Sequence, residues 1–170
     1  MRRIIRRREI LDDRLRYAGE LQGPGTIAVQ TAAAWIARAG ADAGAGAGGT
    51  SAPAALLLTA TDEVEMLAPH LQGVGWIVIE FARIGEGRGY SQARLLRQRY
   101  GYAHELRARG ALKRDQLVFL ARCGFDAFDL DPAEDLDAAV GALDTFRVAY
   151  QDGDEAVVQL RRRAPGSAAS

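Results

Sequence analysis

Two spacings of apolar residues alternate along the chain, and they predict strands that alternate with single amphipathic helices. Short apolar runs at 26–29, 55–59, 76–81, 105–108, 126–130 and 147–150 predict strands. Helical spacing at 32–39, 62–69, 91–100, 112–123 and 131–143 predicts the helices between them. Residues 2–17 alternate only weakly, and they predict a short edge hairpin or an arm over the main domain.

Glycine, proline and capping residues set the expected ends of these helices. Gly40 is expected to stop the first helix, and Pro69 is expected to end the second. Asp62, with a glutamate three residues later, predicts the start of that second helix. Gly124 is placed as the residue that follows the helix over 112–123.

Strands that alternate with single helices predict parallel strands joined by right-handed crossovers. Five or six such strands predict one α/β domain over residues 1–160, with three layers and a mostly parallel sheet. A half-barrel-like β/α arrangement is the alternative. Both place the functional edge at the carboxyl ends of the strands. The Gly/Ala-rich residues 40–54 predict a flexible loop, and residues 161–170 predict a disordered tail.

Composition and charge exclude several classes of protein. The chain has 170 residues, 22 Lys+Arg and 22 Asp+Glu, and this balance argues against a nucleic-acid binder. Cys123 is the one cysteine, which excludes an internal disulfide and a multi-cysteine metal site; its place near a helix end favours a buried structural role. His70 and His104 lack metal-ligand spacing, so no bound transition metal is expected, and the sequence leaves any cofactor unknown because it shows no cofactor motif. Without a long apolar run or a signal sequence, we expect a cytoplasmic protein that does not bind membranes.

A glycine-rich turn after the strand at 76–81 is the segment most suggestive of ligand binding. Glycine lets the backbone approach a ligand closely, and the start of the next helix offers free N–H groups. The predicted anion site comprises the turn and nearby cations, namely Gly87, Arg88, Gly89, Ser91, Arg94, Arg107 and Arg114. The alternative is a tight strand-to-helix turn capped by Ser91.

Arg107 and Arg109 stand two residues apart at a strand end and are expected to point the same way. Arg107 either joins the predicted anion site or pairs with a carboxylate. No side chain identifies itself as a catalyst from sequence. Tyr90 and Asp115 are candidates for proton transfer. The carboxylates that fall in or near predicted strands are further candidates for acid–base chemistry, namely Glu80, Asp126 and Asp129.

Four motifs occur in order between residues 76 and 151. They are Gly-Arg-Gly-Tyr-Ser at 87–91, Glu-Leu-Arg-Ala-Arg at 105–109, Arg-Asp-Gln-Leu at 114–117 and Arg-Cys-Gly-Phe-Asp-Ala-Phe at 122–128. Together they resemble a bacterial family catalogued as domain of unknown function 934. That family usually has Gly-Asp-Val-Leu before the Arg-Asp-Gln motif, whereas this chain has Gly-Ala-Leu-Lys at 110–113. The missing acid weakens any mechanism that places a carboxylate there.

The resemblance implies a pathway more than a reaction. Members are typically encoded beside the sulfite reductase hemoprotein and are described, by that association, as oxidoreductases of sulfite reduction. The implied function is an accessory or oxidoreductase-associated protein of assimilatory sulfate and sulfite reduction that binds a small sulfur oxyanion. Its implied partner is the sulfite reductase hemoprotein. The alternatives are an enzyme acting on a sulfur oxyanion or adenylylated sulfate, and a ligand-free scaffold for sulfite reductase.

Overall fold

The computed structural model describes residues 2–42, 53–83 and 85–148. Its strands are β1 (Arg3–Arg6), β2 (Glu9–Asp12), β3 (Leu15–Arg16), β4 (Ile27–Thr31), β5 (Ala54–Leu58), β6 (Val74–Phe81), β7 (Glu105–Gly110) and β8 (Ala127–Asp129). Its α-helices are α1 (Ala32–Asp42), α2 (Val64–Leu67), α3 (Arg88–Arg94), α4 (Leu117–Cys123) and α5 (Leu136–Val148). Most of the predicted flexible loop and all of the predicted tail at 161–170 lie outside the described residues.

All eight strands belong to one sheet, in the order β2-β1-β8-β7-β6-β5-β4-β3. The strands from β3 to β8 run parallel to one another, while β1 is antiparallel to both β2 and β8. The predicted α/β fold with a mostly parallel sheet is therefore confirmed. The hairpin predicted within residues 2–17 is confirmed as β1 and β2.

The sheet curls until its two edge strands meet. β2 and β3 lie at opposite edges, yet only Asp13 and Arg14 separate them in the chain. The backbone N–H of Asp13 donates to the Arg2 carbonyl next to β1 (2.8 Å), and the N–H of Ile27 in β4 donates to the Arg14 carbonyl (2.8 Å). This closure gives the sheet a half-barrel-like shape, which matches the alternative architecture.

The two faces of the curled sheet pack differently. Residues from all five helices join the outward side chains of the strands in the larger apolar cluster, which includes Leu56, Ile77, Ile79, Phe81 and Leu106. The inward side chains form a small apolar cluster of Leu15, Tyr17, Ala55 and Val78. Successive residues of a strand point to opposite faces, so Glu105, Arg107 and Arg109 of β7 share the inward face with Ala127 and Asp129 of β8.

Two helix boundaries predicted from the sequence are wrong, namely the end of α1 and the start of α2. α1 continues through Gly40 to Asp42, since a glycine inside a helix costs only about 1 kcal/mol relative to alanine. Asp62 does not begin α2, whose preceding residue is Glu63. Instead the Asp62 carboxylate accepts hydrogen bonds from the backbone N–H (2.7 Å) and the hydroxyl (2.8 Å) of Thr59, and so closes the turn after β5.

Other expected ends agree more closely with the structure. α2 ends before Pro69 and continues as a 3₁₀ turn. Gly124 follows α4 with a φ of 108°, the left-handed conformation expected of it. The strand predicted at 147–150 is wrong at 147 and 148, which belong to α5, and its last two residues lie outside the described ranges. No helix within the described ranges has the length and apolar character of a membrane span.

The turn between β1 and β2 is strained. Arg7 and Arg8 have φ values of 49° and 71°, a left-handed conformation that two-residue hairpin turns require and that arginine rarely adopts. Contacts with the rest of the domain hold the turn in place. The N–H of Arg7 donates to the Asp126 carbonyl (3.0 Å), and the guanidinium of Arg8 lies 3.4 Å from the carboxylate of Asp144.

Candidate functional site

A cavity of about 590 Å³ opens at the carboxyl ends of β7 and β8. Arg2, Arg3 and Arg109 line it, and Asp129 lies between them. The segment from 130 to 137, which links β8 to α5, completes its wall. Ligands of folds built from parallel strands bind at this edge of the sheet, which is the edge that the sequence predicts to be functional.

Arg107 supports this cavity from inside the curl of the sheet. Its side chain is only 4% exposed, and it donates hydrogen bonds to the carboxylates of Asp13 (2.6 Å) and Glu105 (2.8 Å). Burial alone would raise the pKa of Asp13, but the charge and hydrogen bond of Arg107 outweigh it and lower that pKa below its ordinary value. Arg107 and Asp13 therefore form a buried ion pair with both charges present.

Arg2 connects the buried ion pair to the cavity. Its guanidinium donates to Asp13 (2.6 Å) and Glu20 (2.9 Å) and lies 3.5 Å from the carboxylate of Asp129. The guanidinium also stacks on the ring of Tyr17, 4.8 Å from the ring centroid. The positive charge of Arg2 is thus shared among three carboxylates that belong to the protein.

Asp129 lies in the cavity wall with its carboxylate almost fully buried. The residue is 5% exposed, and its carboxylate makes no hydrogen bond to any described residue. Its nearest charged partners are Arg109 at 3.4 Å and Arg2 at 3.5 Å. Burial raises the pKa of Asp129 above its ordinary value, although both arginines oppose the change. A carboxyl group in that state is suited to accept or donate a proton, and Asp129 was one of the carboxylates proposed from sequence.

Arg109 presents unused hydrogen-bond donors at the cavity. Its guanidinium carbon lies 3.5 Å from the centroid of the Tyr17 ring, and its Nε lies 3.4 Å from Asp129. Among the described residues it makes no hydrogen bond, and its side chain is 25% exposed. A guanidinium offers five N–H donors in a planar fork that fits an oxyanion, so Arg109 can bind an anion that enters the cavity.

The glycine turn has a packing role that the sequence left open. α3 begins at Arg88 and not at Ser91, so Gly89 lies in its first turn. A Cβ on Gly89 would lie 2.6 Å from Cζ of Phe81. The next residue, Tyr90, packs its ring against Phe81 (centroids 5.2 Å apart), and its hydroxyl accepts a hydrogen bond from Gln116 (3.4 Å). This packing joins two motifs of the sequence and accounts for Gly89 without a ligand.

The residues predicted for the anion site do not all come together. Gly87, Arg88 and Ser91 line a second cavity of about 580 Å³, together with three acidic residues, Asp62, Glu63 and Glu65. Arg94 and Arg114 are exposed and line neither cavity. Arg107 lies on the other face of the sheet, where it pairs with carboxylates, the alternative that the sequence left open.

The two proton-transfer candidates lie apart from the first cavity. Tyr90 packs between Phe81 and Phe119, and burial raises its pKa. Asp115 is exposed in the 3₁₀ turn before α4. Cys123 is buried, as its predicted structural role requires. None of these three residues lines the cavity of Arg109 and Asp129.

Comparison with known families gives one match. The model of a family described as bacterial protein of unknown function (DUF934) matches residues 55–159, more than half of the chain. The chain belongs to this family. The matched part of this DUF934 protein contains Arg109 and Asp129, while Arg2 and Arg3 precede it. Among curated proteins, none matches the chain.

Sequence reasoning missed the contribution of the first 20 residues of the DUF934 protein to the site. Asp13 and Arg2 belong to the charge network, and the Tyr17 ring packs against Arg2 and Arg109. Their segment predicted only an edge hairpin or an arm. The one available signal was a carboxylate, Asp13, that directly follows an apolar strand pattern. The proximity of Asp13 to Arg107 depends on closure of the sheet, which local patterns do not show.

The hydroxyl of Tyr17 gives the site a measurable response to alkaline pH. It is buried and lacks a hydrogen-bond partner among the described residues, and burial raises the pKa of Tyr17 to about 12. Between pH 10, where an unfolded tyrosine ionises, and about pH 12, the unfolded chain releases this proton first. The titration of Tyr17 should therefore leave the free energy of unfolding unchanged below pH 10 and lower it by about 2 to 3 kcal/mol between pH 10 and about pH 12.

Urea unfolding between pH 8 and 11.5 measures this loss against the variant Tyr17→Phe. The variant removes both the proton and the unpaired hydroxyl. At pH 8 it should be more stable than the natural chain by about 1 kcal/mol, and its stability should decline less steeply above pH 10. Parallel curves for the two proteins would show that Tyr17 titrates as an ordinary tyrosine.

Proposed function

We propose that this DUF934 protein binds a small sulfur oxyanion in the cavity at the carboxyl ends of β7 and β8. We propose further that it serves assimilatory sulfate and sulfite reduction as an accessory or oxidoreductase-associated protein. One observation carries the binding proposal: Arg109 is held by Tyr17 and Asp129 while its hydrogen-bond donors remain unused at the cavity. The proposed role in sulfate and sulfite reduction rests on the resemblance of the four motifs to those of the DUF934 family.

The charges around the cavity favour Arg109 and Arg3 as the anion-binding groups. Arg3 is exposed at the cavity and has no ion pair within the described ranges. The charge of Arg2 is already offset by Asp13 and Glu20. An oxyanion that binds Arg109 would lie near Asp129, which repels it when ionised and donates a hydrogen bond to it when protonated. Anion binding should therefore be accompanied by proton uptake at Asp129.

The cavity beside the glycine turn is the less favourable place for an anion. Its single arginine, Arg88, shares the wall with the three carboxylates of Asp62, Glu63 and Glu65. Carboxylates oppose an oxyanion in both cavities, since five also line the first one. The first cavity has three arginines against one, however, and its Asp131 and Asp135 are engaged by backbone N–H groups. The matched comparison of Arg88 with Arg109 thus decides between the two places.

Calorimetric titration of sulfite, sulfate and phosphate tests the binding proposal. Arg109→Gln should weaken sulfur-anion binding by about 10- to 100-fold, the loss expected for hydrogen bonds to a charged group. Arg88→Gln, the matched control, should bind as the natural chain does. Equal losses in both variants, or no binding by the natural chain, would overturn the proposed site.

The second candidate is an enzyme that acts on a sulfur oxyanion or adenylylated sulfate. The raised pKa of Asp129 beside the unused donors of Arg109 favours it, since these groups supply a proton and an anion site together. Turnover of sulfite or adenylyl sulfate by the purified chain alone would establish this candidate over the accessory role. Complex formation with the sulfite reductase hemoprotein, without turnover by the chain alone, would support the accessory role.

A further inference from the structure

The cavity is much larger than the oxyanion proposed to bind in it. Its volume of about 590 Å³ falls in the range of sites that enclose whole organic ligands, roughly 300 to 1,000 Å³. A four-oxygen anion held by Arg109 would fill only a small part of this space. The other residues of the wall therefore indicate which chemical groups the ligand has besides its anionic group.

The wall that follows β8 is lined by carboxylates of two kinds. Asp131 and Asp135 are engaged by their own backbone, since they accept hydrogen bonds from the N–H groups of Ala133 (2.9 Å) and Asp137 (2.9 Å). The carboxylates of Glu134 and Asp137 accept no hydrogen bond from the described residues, although both line the cavity, and Glu134 is the less exposed of the two. An ionised carboxylate only accepts hydrogen bonds, so Glu134 offers an acceptor to a ligand.

Asp129 offers a second, buried acceptor, since even the protonated carboxyl proposed above for the anion complex keeps an oxygen that accepts. Its carboxylate lies between the arginines and the segment after β8, and it has no hydrogen bond from any described residue. Buried carboxylates in proteins normally accept hydrogen bonds, because burial without them is costly. A ligand group that donates a hydrogen bond to Asp129 would satisfy this need.

At Asp129 a neutral hydroxyl fits better than an ammonium group does. The guanidinium groups of Arg109 and Arg2 lie 3.4 and 3.5 Å from the Asp129 carboxylate, and they would repel a second cation placed beside it. A hydroxyl donates a hydrogen bond without adding charge. Asp129 can therefore accept a hydroxyl while Arg109 binds an anion.

We infer that the cavity takes a hydroxylated organic anion, namely a phosphate or sulfate ester of a sugar, with the ester group on Arg109 and hydroxyls on Asp129 and Glu134. This inference rests on the proposed function, because it uses the same cavity and the same arginine. It differs in the ligand, since most of the contact comes from the sugar and not from the oxyanion.

Calorimetry with paired probes separates the two contributions. Ribose 5-phosphate is compared with inorganic phosphate, and glucose 6-sulfate is compared with inorganic sulfate. For at least one pair the ester should bind about ten-fold more tightly than its inorganic ion, as expected for one or two additional hydrogen bonds to charged groups. The pair that shows the gain identifies the phosphate or the sulfate ester as the ligand class.

Two variants and a matched control assign the gain to residues. Glu134→Ala removes the acceptor, so it should remove most of the advantage of the ester and leave the inorganic ion bound at least as tightly as in the natural chain. Arg109→Gln should weaken the ester and the ion alike. Glu65→Ala, which removes an exposed carboxylate outside this cavity, should change neither.

Each result decides one or both proposals. If the ions bind and no ester binds more tightly, the inference fails and the proposed oxyanion site stands. If an ester binds and the ions do not, the inference stands and binding of a bare oxyanion fails. Equal effects of Glu134→Ala and Glu65→Ala, or tighter binding of phosphoethanolamine than of ribose 5-phosphate, would overturn the hydroxyl assignment. If none of the probes binds, both proposals fail.

Discussion

Replacing Arg107 by methionine should lower the free energy of unfolding by about 2 to 4 kcal/mol, somewhat less than when a buried charge is left with no partner. The substitution removes the cation that Asp13 and Glu105 share inside the curled sheet, and it leaves Asp13 with Arg2 and Glu105 with Arg6. Asp13 is fully buried there, so water cannot replace the lost partner. Urea denaturation measures the loss as a lower midpoint with an unchanged slope.

A double variant distinguishes this cause from poor packing of the methionine. Asp13→Asn combined with Arg107→Met removes one buried charge from each side, and its amide oxygen can still accept the hydrogen bond from the backbone N–H of Leu15. It should recover part of the lost stability, with a coupling energy above about 1 kcal/mol. Arg114→Met, an exposed control, should stay within about 0.5 kcal/mol of the natural chain. A loss below about 1 kcal/mol for Arg107→Met would contradict the buried ion pair.

The Arg107 pair also shows why sequence patterns revealed the sheet but not its interior. Strand β6 stands out as a local apolar run, and alternation correctly placed Arg107 and Arg109 on one face. The partner of Arg107 is Asp13, which is 94 residues away. Nothing within either segment specifies that contact, because it depends on closure of the sheet through a two-residue strand, β3.

The glycine turn illustrates a different limit of sequence reasoning. A ligand and a neighbouring aromatic ring both require glycine where a backbone must approach closely. At Gly89 the neighbour is the ring of Phe81. Only the three-dimensional structure shows this, because a Cβ placed on Gly89 would collide with that ring. The sequence does identify Asp129 as a candidate, because an aspartate in a predicted strand is recognisable from its residue type alone. The arginines that face it were found only in part, since Arg2 and Arg3 reach the cavity from the other end of the chain.

Gly110→Ala should be the most damaging glycine substitution in the described part of the chain. We expect a loss of about 2 to 4 kcal/mol, from a left-handed conformation and from overpacking. Gly110 has a φ of +112°, and a Cβ there would lie 2.4 Å from the carbonyl oxygen of Phe81. That oxygen already accepts a hydrogen bond from the N–H of Ala111 (2.9 Å). The alanine therefore either breaks this bond or pushes β7 away from β6.

Gly141→Ala is the matched control, because Gly141 lies inside α5 and an added Cβ meets no atom of the described residues within 4 Å. It should be neutral or raise the free energy of unfolding by up to about 1 kcal/mol. Thermal or urea unfolding measures the difference in stability between the two variants. Equal stabilities would show that the end of β7 can shift to make room for the Cβ at little cost in free energy. Gly110 also lines the cavity beside Arg109. A shift of β7 would move that guanidinium, so Gly110→Ala should weaken ligand binding while Gly141→Ala leaves it intact.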